Sequence, residues 1–139
     1  MFWDSSAVIP LFLSEARSKE LTAYLSADAE PVVWWLTPVE CHSAFQRRSR
    51  ERPIARNATQ AALGRLDAFC EDVDQISATD PVRRRAIRLL TTHVLRAGDS
   101  LQLAAALVWC EENPQGERFM CLDDRLREAA RAEGFDVRP

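Results

Sequence analysis

The stretch Pro31-Val32-Val33-Trp34-Trp35-Leu36-Thr37-Pro38-Val39-Glu40-Cys41-His42-Ser43-Ala44-Phe45 carries the reading that decides the fold. Val32 to Leu36 is β-branched and aromatic without alternation, which is the pattern of a strand covered on both faces. Thr37-Pro38-Val39-Glu40 follows at once. Threonine at the cap, proline in the first turn and glutamate three residues on form a capping box, so a helix starts there. A doubly covered strand feeding directly into a helix belongs to a parallel α/β arrangement.

The same alternation extends along the chain in both directions. Phe2 and Trp3 read as a very short strand ending at Asp4. Ser5 or Ser6 then caps a helix from Ala7, in which Pro10 is tolerable only in the first turn. Residues 18–28 form a second helical stretch with Leu21, Tyr24 and Leu25 on one side. The helix after Thr37 carries Phe45 and the basic run Arg47, Arg48, Arg50 and Arg52, and Pro53 interrupts it. A further helix is expected over about 55–70, then a weaker strand over 73–77. Asp80-Pro81 opens a helix with Val82, Ala86, Leu89 and Leu90 inward and Arg83, Arg84 and Arg88 mainly outward. Gly98 or Asp99 begins the most apolar helix, over 100–110. Residues 119–122 read as a strand, Asp123 or Asp124 caps a helix ending at Gly134, and 135–137 can add an edge strand. Together these predict an α/β fold over residues 1–139 as a single domain, a three-layer sandwich with a mostly parallel central sheet.

Bulk properties narrow the function. The chain has 139 residues, enough for one domain with a real core. Its 47% apolar and 28% charged residues are those of a soluble globular protein. The net charge of -3 gives no global pull toward nucleic acid, although Lys19 is the only lysine and arginine supplies the remaining basic charge. The four cysteines, Cys41, Cys70, Cys110 and Cys121, contain no CxxC pair and read as reduced and mostly buried, as in a cytoplasmic protein. With only His42 and His93 beside them, they offer no zinc cluster. The opening residues lack the basic region of a signal peptide, and no apolar run is long enough to cross a bilayer.

Four acidic residues stand where an apolar run gives way to a helix: Asp4, Glu40, Asp99 and Asp123. In a parallel sheet those positions gather at the carboxyl edge, where ligands bind. Close carboxylates repel one another unless a hard cation sits among them. Each also has a purely structural explanation, since aspartate caps helices and Glu40 completes the capping box. Asp124, adjacent to Asp123, competes for the last position.

The motifs FWDSSAVIPLF, TPVECHSAF, AGDSLQLAAAL and FMCLDDRLREAARAEGFDV, in that order, resemble those of PIN domains, and specifically of the ribonuclease toxins of VapBC-type toxin–antitoxin modules. The resemblance covers essentially the whole chain. It implies a PIN-like fold and assigns Asp4, Glu40, Asp99 and Asp123 as catalytic, metal-binding carboxylates for Mg2+ or Mn2+. It makes Ser6 the hydroxyl partner of the first aspartate, able to bind carboxylate or substrate phosphate. Cys121 departs from the threonine or serine usual two residues before the last aspartate. The resemblance further implies an RNA substrate, such as a transfer or ribosomal RNA loop, a cognate antitoxin and a homodimer. Leu11, Phe12 and Tyr24 are available for those protein contacts.

The residues themselves add a substrate path. Arg47 and Arg48 follow Glu40 on its helix and can grip an RNA backbone, or equally form a solvated face. Trp34 and Trp35 read as core rather than base platforms, Gln46 and Gln102 as surface polar residues, and His42 as pointing away from Glu40. Two alternatives remain: a non-catalytic PIN-like module that binds RNA or protein, and another Mg-dependent phosphoryl-transfer α/β domain. The second is disfavoured because no DxD pair follows the first strand and no lysine lies near the end.

Overall fold

The computed structural model describes residues 1–51 and 56–139, and the backbone alone at residue 56. The expected interruption at Pro53, together with Arg52 and Ala55, lies outside them. Five strands, β1 Phe2–Trp3, β2 Val32–Trp34, β3 Asp74–Ile76, β4 Arg118–Met120 and β5 Asp136–Arg138, form one sheet in the order β3-β2-β1-β4-β5. Every pairing is parallel, with Phe2 opposite both Val32 and Phe119, and Trp3 opposite Val33 and Met120.

Side chains alternate across a strand, so this register sorts the core into two halves. Phe2, Val32, Trp34 and Phe119 face one side, where they meet α5 Asp80–Thr92, α6 Ala97–Trp109 and α7 Asp124–Glu133. Phe2 stacks on Phe119 with ring centroids 5.5 Å apart. Trp3, Val33 and Met120 face the other side, against α1 Ser5–Phe12, α2 Ser18–Ser26, α3 Thr37–Glu51 and α4 Arg56–Asp72. The result is the expected three-layer α/β sandwich, and the absence of alternation in Val32–Trp34 is explained by helices on both faces. No described helix is long and apolar enough to cross a membrane.

Local differences from the sequence reading have identifiable causes. Asp4, not Ser5 or Ser6, caps α1, because its carboxylate accepts the Ser6 N–H at 2.9 Å. The helix therefore starts earlier, and Pro10 falls beyond its first turn, two residues before the helix ends at Phe12. Thr79 caps α5 and Asp80 lies in its first turn. Leu90 is 44% exposed rather than inward. Trp35 leaves the sheet edge and is 55% exposed, whereas Trp34 is core. Leu11, Phe12 and Tyr24 pack against the Trp3 core. Among the described residues, the large apolar side chains left exposed are Trp35, Val39, Ile87, Leu90 and Val94.

Candidate active site

The strand order fixes where a site can form. From β1 the chain reaches β2 on one side, and β4 lies on the other. The crevice outside the carboxyl ends of β1 and β4 is thus the topological switch point of the sheet. Asp4 follows β1 immediately, and its N–H donates to Met120 O at 2.9 Å, extending the β1–β4 pairing by one bond. Asp123 follows β4 by three residues and caps α7, accepting the Leu126 N–H at 3.0 Å. Asp124 points away, with its side chain 94% exposed and paired to Arg127. Of the two neighbours, Asp123 is the one built into the edge.

Asp4 is 3% exposed. Its Oδ2 accepts three donors: the Ser6 N–H, the Ser6 hydroxyl at 2.5 Å and the Cys121 thiol at 3.6 Å. The Ser6 hydroxyl in turn accepts the Leu122 N–H at 2.9 Å, which ties the start of α1 to the segment leading to Asp123. Ser6 is thereby committed to orienting Asp4. Cys121 makes its contact to Asp4 with sulfur. Burial pushes its thiol upward, so it stays protonated and donates.

Glu40 enters from α3 and Asp99 from α6, on opposite faces of the sheet. Asp99 is the third residue of its helix and accepts the Arg96 N–H at 3.2 Å. Glu40 does not close the expected box with Thr37. Its Oε2 accepts from Gln102 Nε2 at 2.5 Å, and the same amide reaches Thr37 Oγ1 at 3.3 Å. Gln102 is 1% exposed, not a surface residue. It lies one helical turn beyond Asp99, a spacing that could have flagged it.

The electrostatics are those of uncompensated acids. Burial pushes Asp4 up to about 6, with Ser6 opposing and the Glu40 charge adding to the rise. Glu40 is also raised, first by burial and then by the Asp99 charge, with Gln102 and Ser5 opposing. None of the four carboxylates forms an ion pair among the described residues. Asp4 Oδ1, Asp99 Oδ1 and Asp123 Oδ2 accept no described donor. Hard oxygens without protein cations are the donor chemistry that suits Mg2+ or Mn2+. No three acidic, thiol or imidazole groups among the described residues are gathered closely enough to hold an ion on their own.

The basic run divides. Arg47 is exposed, whereas Arg48 is half-buried and paired with Glu15. His42 bonds Asp67 at 2.7 Å and His93 bonds Glu133 at 2.7 Å, so both histidines are tied to acids outside the edge.

No protein-family model matches the chain, and no curated protein does. Among solved structures, the chain is similar to one described as a toxin-antitoxin complex from Klebsiella pneumoniae, with a TM-score of 0.64 and 15% sequence identity over 88% of this chain and 85% of that one. At that identity the likeness establishes the shared α/β fold.

Proposed function

We propose that this chain is a metal-dependent endoribonuclease, the toxin of a toxin–antitoxin pair. The observation that carries the reading is the buried Asp4 carboxylate at the switch point, which, like Glu40, Asp99 and Asp123, forms no ion pair among the described residues. The order of the four motifs and the likeness to a structure described as a toxin-antitoxin complex support it. Asp4, Glu40, Asp99 and Asp123 would hold Mg2+ or Mn2+, in part through water. A cation held there would supply an acidified water and neutralise charge on the scissile phosphate. The chain's own residues orient the acids. Ser6 and Cys121 engage Asp4 Oδ2 and leave Oδ1 turned free, while Gln102 holds Glu40. Neither a protein nucleophile nor a histidine base is required, in keeping with the engagement of His42 and His93 elsewhere. Arg47 is the better placed of the two arginines to meet the RNA backbone, since Arg48 is tied to Glu15.

Two partners complete the reading: a cognate antitoxin and a second copy of the chain. A homodimer would cover apolar side chains otherwise left in water, among them Trp35, Val39 and Ile87. Light scattering at micromolar concentration reads the dimer directly, and a monomer would reject it.

The test of the enzyme is cleavage of single-stranded and loop RNA in Mg2+ or Mn2+. Asp99→Asn should lower the rate at least a hundredfold with an unchanged melting curve. Absence of cleavage by the wild-type chain in both metals, with RNA still bound, would favour the non-catalytic module. Expression alone should arrest bacterial growth, and co-expression of the antitoxin should restore it.

A further inference from the structure

Glutamine is an odd residue to find inside α6. The segment Leu101-Gln102-Leu103-Ala104-Ala105-Ala106-Leu107 is otherwise apolar, and Leu103 to Leu107 are fully in the core. Gln102 is as buried as they are, and its Oε1 has no hydrogen-bond partner among the described residues. A leucine there would avoid an orphaned carbonyl. Burial of this amide is offset by its Nε2 side alone, which donates to Glu40 Oε2 at 2.5 Å and to Thr37 Oγ1 at 3.3 Å. The amide cannot turn over, because that would set its carbonyl against a carboxylate and an unturned hydroxyl lone pair. The bond also crosses the molecule: Gln102 belongs to the layer of α5, α6 and α7, and Glu40 to the layer of α1 to α4.

The second oxygen of Glu40 is governed by the same helix. A methyl group at Gly98 would stand 3.1 Å from Glu40 Oε1, closer than ordinary packing allows. Gly98 does not have the positive φ that glycine uniquely tolerates, which Gly116 and Gly134 do have. Its missing side chain therefore serves close approach by the carboxylate, not backbone freedom. Asp99 lies between these two contacts in the chain.

We propose that Gly98 and Gln102 form a clamp on α6 that sets the Glu40 carboxylate beside Asp99 for cation binding, with Gln102 as a positioning residue acting through Glu40. The inference rests on the reading of these carboxylates as a cation site. Hydrogen-bond partners that orient metal ligands typically matter tenfold to a hundredfold in affinity.

The test is Mn2+ binding by calorimetry on the full chain, with thermal melting in chelator as the fold control. Gln102→Met keeps the volume and removes the donor, and should weaken Mn2+ binding about tenfold. Gln102→His returns a ring N–H and should recover most of that loss. Gly98→Ala should melt no lower than wild type, because alanine favours a helix over glycine. It should nevertheless weaken Mn2+ by crowding Oε1. Should Gln102→Met fail to fold, Gly98→Ala alone decides. Wild-type affinity in Gly98→Ala, or equal affinity in Gln102→Met and Gln102→His, would overturn the clamp while the cation site stands. A wild-type chain that binds no Mn2+ would overturn the cation site and the clamp with it.

Discussion

The two edges of the sheet are both rich in acid, and they treat it in opposite ways. At the amino edge a cavity of about 470 Å³ is lined by Met1, Asp28, Glu30, Asp74, Glu117 and Arg118, among others. Its buried acid is fully accounted for. Asp28 takes the Met1 ammonium at 3.2 Å and the Trp3 indole N–H at 2.8 Å. At the carboxyl edge Asp4 is more deeply buried and receives only neutral donors. Acids elsewhere follow the amino-edge habit: Glu15 meets Arg48, and Glu133 meets His93 and Arg85. Neither the number of carboxylates nor the size of a cavity distinguishes the edge proposed to be functional. Burial without a counter-charge does, because such an arrangement costs stability that a purely structural acid would not impose.

The sharpest way to break this comparison is to neutralise one acid at each edge. Asp4→Asn should abolish RNA cleavage, by at least a hundredfold, and yet stabilise the metal-free protein. Asparagine still caps α1 and still accepts from Ser6. The sign follows from linkage. Burial raises Asp4 from 3.8 to about 6, so the folded state holds the proton more tightly than the unfolded state. That contribution is fully present below pH 4 and is lost as pH rises through 6. In chelator, Asp4→Asn should therefore gain on wild type across pH 4–7, reaching about 3 kcal/mol at neutral pH. Asp28→Asn should do the reverse, lowering the melting temperature and sparing cleavage. Equal destabilisation by both, followed by urea unfolding, would erase the distinction between the edges.

Much of this was legible in the sequence. Strand and helix order followed from periodicity and caps, because doubly covered strands and capping residues leave local signatures. Asp4 and Asp123 stand after β1 and β4, as strand ends in a parallel sheet predict, whereas Glu40 lies within α3 and Asp99 within α6, which follows α5 rather than a strand. What escaped were long-range matches. Nothing local tells that Gln102 reaches from α6 to α3, 62 residues back in the chain. Nothing local tells that the Cys121 thiol donates to Asp4, or that Glu15 captures Arg48. Trp35 was misread because it continues an apolar run beyond the last paired residue of β2, where cover from the helices ends.

A smaller effect separates the neighbours at the end of β4. Asp123 caps α7, whereas Asp124 is a solvated residue paired to the half-buried Arg127. Asp123→Ala should cost about 1 kcal/mol by loss of the cap and should also impair cleavage. Asp124→Ala should leave activity within twofold and barely move the melting temperature, since exposed pairs contribute little. If Asp124→Ala alone removes activity, the last carboxylate of the edge has been assigned to the wrong residue.

The smallest expected effect tests how a chain of net charge -3 holds a polyanion near its unpaired acids. Arg47 and Arg48 are adjacent on α3, but only Arg47 is without an ion pair among the described residues. A free arginine releases a counterion when it meets phosphate, whereas one already neutralised by an acid contributes less to that exchange. Arg47→Ala should weaken RNA binding about threefold to tenfold and reduce the slope of log affinity against log salt by about one. Arg48→Ala should change the slope less, and should lower the melting temperature slightly because Glu15 loses its partner. Binding is best measured on Asp99→Asn in Mg2+, where the RNA survives. Equal slopes for both variants and wild type would remove α3 from the RNA path. A loss on replacing Arg84 and Arg88 instead would move that path to α5.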